Sequence, residues 1–170
     1  MIKPKLEAII NKQINAELYS AYLYLSMSSY FESINLPGFA NWMKVQFEEE
    51  QFHAMRFFTY LSERGGRVVL EAIEKPQTEW KNAIEVFEHT LEHEKHVTAL
   101  LNDIADLAEV EKDRATQNLM VWFIDEQVEE EGSAEKILNE LKWIKGEGHG
   151  MLMLDREMAA RVFTPPTVGA

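Results

Sequence analysis

Cysteine is absent from the 170 residues, which removes disulfides, thiolate zinc sites, cysteine-ligated iron–sulfur clusters and cysteine nucleophiles together. A metal bound here must be bound through nitrogen and oxygen. Basic residues are few beside acidic ones: 17 Lys and Arg against 29 Asp and Glu leave a formal charge of −12, so a phosphate backbone is repelled and nucleic acid is not an expected partner. No apolar run approaches the roughly eighteen residues of a membrane span, and MIKPKLEAII is not a signal peptide. The expectation is therefore a cytoplasmic protein with no membrane partner. Glycine and proline number only 8 and 5, at Pro4, Pro37 and Gly38, Gly65 and Gly66, Pro76, Gly132, Gly146, Gly148 and Gly150, Pro165 and Pro166, and Gly169. That is too little punctuation for an all-β chain and leaves long stretches free to be helical.

The spacing predicts helix A over 5–33, B over 39–64, C over 80–108, D over 113–145 and a short fifth helix over 149–161, in one domain spanning 1–170 with 162–170 as a frayed tail. No Gly or Pro separates C from D. The apolar stripe does, because it runs through Val97, Leu101 and Ile104 in C and resumes one residue out of step through Met120, Phe123 and Ala134 in D. A turn near 109–113 restores both faces to one core. Four helices of this length, about 40 Å each, predict an all-α four-helix bundle. Short A–B and C–D turns make those pairs antiparallel, while residues 65–79 form one long B–C crossover that leaves B and C parallel.

Each stripe is interrupted by polar residues near mid-helix. Helix A places Glu17 among Ile10, Ile14, Ala21 and Tyr24; B places Glu50 and His53 between Met43 and Phe57; C places Glu94 between Thr90 and Val97; D places Gln127 and Glu130 between Phe123 and Ala134. A single such residue is ordinarily a hydrogen-bonded core group, but four at one level put four carboxylates in an apolar interior with no Lys or Arg on the stripes. Burying one unpaired carboxylate costs several kcal/mol, so cations are required, and two divalent ions balance the charge. Carboxylates with one imidazole suit iron or manganese. The expected division gives one metal Glu17, Glu50 and His53, and the other Glu50 as a bridge with Glu94 and Glu130. Gln127-x-x-Glu130 stands where a symmetric site has Glu-x-x-His, so the second position should bind more weakly.

Tyr24 faces this level from helix A and is a candidate redox partner. Glu49, Glu126 and Glu129, rotated off the stripes, read as a solvated face or as a second acidic cluster beside the metals. His89, His93 and His96 avoid the stripe and read as surface histidines. Helix A is apolar nearly all round between 18 and 31, which points to a homo-oligomer with A at a contact.

Asn15 to Tyr24 (NAELYSAYLY), Glu48 to Met55 (EEEQFHAM), Glu63 to Gly66 (ERGG), His93-Glu94, and Trp122 followed by EQVEEE at 126–131 together resemble the prokaryotic non-haem ferritins over nearly the whole chain. The resemblance implies a cage of 24 subunits that oxidises Fe(II) with dioxygen or hydrogen peroxide and stores ferric mineral. It implies Glu17, Glu50, His53, Glu94 and Glu130 as ferroxidase ligands for two irons, with Gln127 close by. It also implies Glu49, Glu126, Glu129 and Glu130 at a third iron and Tyr24 as the site tyrosine. Haem is not expected: nothing identifies a haem ligand, and Gln127 breaks the second Glu-x-x-His of bacterioferritins. A di-iron oxygenase or peroxidase acting on a small organic substrate and a structural bundle with protonated acids remain the alternatives.

Overall fold

A computed structural model describes residues 1–165 and contains five helices: α1 (Pro4–Ser33), α2 (Pro37–Glu63), α3 (Ala83–Val110), α4 (Arg114–Trp143) and α5 (Gly148–Met158). Proline opens α1 and α2, where its missing N–H costs nothing. Helix α3 starts at Ala83 rather than 80, because Asn82 turns extended and its side chain accepts the N–H of Glu85. The unpunctuated junction breaks within the predicted segment. Lys112 adopts the left-handed conformation (φ 55°), and Asp113 then caps α4 by accepting from the Thr116 N–H at 3.0 Å. Helix α5 ends at Met158, three residues short of the expected 161, and the chain continues to 165 without regular structure. The expected tail residues 166–170 lie outside the described residues.

End-to-end contacts give the topology. Arg64, just past α2, pairs in two-pronged fashion with Asp113 at the head of α4 (3.0 and 2.7 Å), and Lys3 before α1 pairs with Glu111 at the foot of α3 (3.2 Å). At the opposite pole Ser28 donates to the Ala40 carbonyl at 2.9 Å, and Tyr30 rests edge-on against Trp80, with ring centroids 5.4 Å apart. Helices α2 and α3 therefore run parallel, and each is antiparallel to its hairpin partner. The crossover between them lies along α1. Asn11 holds the main chain at Arg67 and Val69 (3.0 and 2.8 Å), and Ser26 holds it at Gln77 (2.7 Å).

The buried apolar residues form two clusters. One, built around Ile10, Ile14, Phe57, Leu101 and Phe123, fills the pole where α1 begins; the other, around Phe31, Phe39, Met43, Phe87 and Leu141, fills the pole covered by α5. The polar residues of all four stripes occupy the layer between them.

Candidate metal centre

Glu17, Glu50, Glu94 and Glu130 are 1, 2, 1 and 7% exposed, and His53 and Gln127 are each 5% exposed, so the interior placement read from the stripes holds for all six. Ligand atoms of Glu17, Glu50 and His53 lie within 4.8 Å of one another. Gln13, one turn earlier on α1, donates to Glu17 Oε1 at 2.9 Å. Glu17 Oε2 and Glu50 Oε2 accept no hydrogen bond among the described residues, and Glu50 Oε2 stands 3.4 Å from His53 Nδ1. Such orphaned carboxylate oxygens in a dry interior are costly unless a cation or proton meets them.

The other half is arranged differently. Glu94 receives the Tyr24 hydroxyl on Oε1 and the Gln127 amide on Oε2, the latter at 2.7 Å. Glu130 Oε2 accepts from Gln46 Nε2 at 2.8 Å. Both carboxylates are thus turned to neutral donors and stand apart from the Glu17–Glu50–His53 group. Burial sets the protonation of the layer. It pushes Glu130 up to about 8, with the Glu94 charge adding to the effect. Burial, then the neighbouring carboxylates, raises Glu17 and Glu50 well above the ordinary range, and burial raises Glu94 too. The Tyr24 phenol is raised by burial and then by Glu94.

Glu49, Glu126 and Glu129 do gather in a second place. With Phe52, His53, Phe163 and Thr164 they line a cavity of about 200 Å³, so the His53 ring is a wall common to both acidic regions. Arg161 reaches into this cluster, with Nη2 2.6 Å from Glu49 Oε2. Burial raises the Glu49 carboxyl, and Arg161 acts against that shift.

Several participants escaped the stripe reading. Gln13 sits four residues before Glu17, a spacing that marks the same helix face and could have flagged it as a hydrogen-bond partner; Gln46 lies on the helix B stripe between Met43 and Glu50, and only its partner, Glu130 of another helix, went unread. Arg161 carried no such signal, because its place depends on how the chain leaves α5. The reading of three surface histidines is corrected for two of them. His93 is half-buried, with Nε2 2.8 Å from Ser20 Oγ, and burial holds its pKa down at about 4; His89 accepts from Trp80 Nε1 at 3.2 Å, while His96 is exposed. Trp122 packs edge-on against His53, with centroids 5.5 Å apart, and carries the Arg56 guanidinium on its face at 4.0 Å.

Residues 7–144 match the model of the Ferritin-like domain. The chain is 44% identical over 161 residues to the bacterial non-heme ferritin of Bacteroides fragilis, spanning 95% of this chain and 100% of that one. It is 34% identical to that of Staphylococcus epidermidis, over 96% of this chain and 98% of that one. Among solved structures it superposes with TM-score 0.95 on a closed form of the Archaeoglobus fulgidus ferritin engineered by site-directed mutagenesis, at 51% identity over 96% of this chain and all of that one. It also superposes with TM-score 0.94 on an open pore ferritin from the same archaeon, at 50% identity over 95% of this chain and all of that one. The chain belongs to the ferritin family, whose members store iron.

Proposed function

We propose that this ferritin is a ferroxidase: it binds two Fe(II) ions in the mid-bundle layer, oxidises them with dioxygen or peroxide, and deposits the ferric product inside a cage of 24 copies. The observation that carries the reading is the Glu17–Glu50–His53 cluster, whose donors converge within 4.8 Å while two buried carboxylate oxygens go without a partner. Fe(II) is the substrate here. Glu17, Glu50 and His53 supply two carboxylates and one imidazole to the first ion; Glu50 is shared with the second, which is completed by Glu94 and Glu130. Glu94, bonded on both oxygens, must give up Tyr24 or Gln127 to take an ion, so the second position binds more weakly.

With both ions bound, each gives up one electron, and dioxygen takes both electrons and two protons. The protein lowers the cost of this step by holding its ligands ready. Gln13 fixes one oxygen of Glu17 and Gln46 one oxygen of Glu130, leaving the other for metal, while Tyr24 and Gln127 hold both oxygens of Glu94, one of which must be released to an ion. Raised carboxyl pKa values mean that protons occupy the layer before metal does, and loading expels them. Glu49, Glu126 and Glu129, beyond the His53 wall, with Glu130 of the layer, form a third iron position on the way out.

The test is aerobic addition of Fe(II), followed by absorbance and by sizing of the product. Rapid oxidation with hundreds of irons retained in a large particle is expected. Glu50→Ala removes the shared ligand and should slow oxidation about 100-fold or more; wild-type kinetics in that variant would overturn the bridging role. Two irons per chain with turnover of an organic substrate would favour an oxygenase, and a chain that binds no iron would favour a scaffold of protonated acids.

A further inference from the structure

The chain leaving α5 is tied to α2 at successive points. Asn41 Nδ2 donates to the carbonyls of Met158, Ala159 and Arg161 at 3.3, 3.4 and 3.0 Å, so the main chain is held as it passes the start of α2. The Arg161 guanidinium lies over the Trp42 ring, 4.4 Å from its centroid, and its Nη2 reaches Glu49 at 2.6 Å. Two residues on, the Phe163 ring meets Phe52 edge-on, with centroids 6.1 Å apart, and with Thr164 it closes the acidic cavity. This is a strap whose one cation is seated on one of the three glutamates that face the cavity.

We propose that Arg161 is a resident competitor for the third cation position, so that a metal ion takes Oε2 of Glu49, or both its oxygens, only by displacing the guanidinium. The idea rests on the dinuclear reading above for the source of the ion. The chemistry is a straightforward exchange of cations on a carboxylate. A charge-assisted hydrogen bond at 2.6 Å is among the stronger polar contacts a side chain makes, and it must be broken before Glu49 can coordinate through Oε2 or chelate with both oxygens. The cost of displacement is contained, because the guanidinium keeps its seat on Trp42 and the main chain keeps its three bonds to Asn41. The consequence is a third position that is deliberately weak. An ion arriving from the dinuclear layer is held loosely, and Arg161 returns to Glu49 when it moves on.

Zn(II) titration of the assembled protein by calorimetry separates the possibilities, since zinc accepts nitrogen and oxygen ligands without redox chemistry. Arg161→Gln should tighten the third equivalent per chain about tenfold and leave the first two unchanged. Adding Glu49→Gln to that variant should remove the gain. Phe163→Ala, which frees the end of the strap without removing the charge, should tighten the third equivalent by a smaller factor and provides the reading should Arg161→Gln fail to fold. A third equivalent that is unchanged or weaker in these variants, or absent from them and from the wild type alike, overturns the competitor role. Loss of the first two equivalents in the wild-type protein would instead overturn the dinuclear reading, and the third-equivalent comparison would still stand on its own.

Discussion

Glu130 is a carboxyl group that the metal-free fold holds protonated beyond neutral pH, because burial pushes it up to about 8 from an ordinary 4.5, and Glu17 and Glu50 move the same way. In the unfolded chain these groups ionise near 4.5. Between the two values Glu130 therefore holds more proton in the folded chain than in the unfolded one, so stability falls as pH rises through that window, and Glu17 and Glu50 act in the same direction. Asp113, whose carboxyl Arg64 holds below the usual range, acts only at the acid end. Metal-free protein should show a Tm that declines between about pH 5 and pH 8, and saturating Zn(II) should flatten the decline as cations replace protons. A metal-free Tm that climbs over the same interval would mean that the carboxylates are not held in a dry layer. Tyr24 tests the other half of the centre. Tyr24→Phe deletes the hydroxyl donated to Glu94 without changing the shape of the core, and should slow Fe(II) oxidation about tenfold in stopped-flow absorbance while helix content by circular dichroism stays the same.

The junction between α2 and α5 depends on a glycine at close quarters. Asp155 of α5 accepts the N–H groups of Gly38 and Phe39 at 2.8 and 3.1 Å, capping α2 from outside its own sequence, and a Cβ at position 38 would fall 1.6 Å from the Asp155 carbonyl oxygen. Gly38→Ala should cost about 2–4 kcal/mol in denaturant unfolding by forcing the helices apart. Gly132 is the contrary case: it lies in α4, and a Cβ there meets nothing within 4 Å. Gly132→Ala should add about 1 kcal/mol in the same assay. Elements of this kind divide what could be read from the chain from what could not. The four long helices and the α3–α4 break were legible because an apolar stripe records which face is buried, and its phase shift records where the helix stops. Glu17, Glu50, His53, Glu94, Gln127 and Glu130 were legible as interruptions of those stripes. The seats of His93 and Arg161 were not, since Ser20 Oγ, Trp42 and Glu49 meet them from other elements and leave no periodic trace.

At the scale of the whole molecule, oxidation and storage make different demands. Every residue assigned to the proposed dinuclear layer comes from α1 to α4 of one chain, so the proposed oxidation should require one folded subunit and no neighbour. Storage requires the proposed cage, and the isolated chain carries apolar surface that a cage would cover. On α1, Tyr22 and Leu25 are 49 and 39% exposed on the face turned away from the bundle core, and Trp143 at the end of α4 is 86% exposed. Placing two guanidinium groups on the α1 face, as Tyr22→Arg with Leu25→Arg, would bury unpaired charge in any contact made there. The double variant should run as a much smaller species in size-exclusion chromatography with light scattering, at unchanged helix content. It should still oxidise Fe(II) within a few-fold of the wild-type rate, while its ferric product precipitates instead of staying in solution. Oxidation lost as completely as in Glu50→Ala, from a variant that remains folded, would mean that the centre needs a second subunit and that the intrasubunit assignment is wrong.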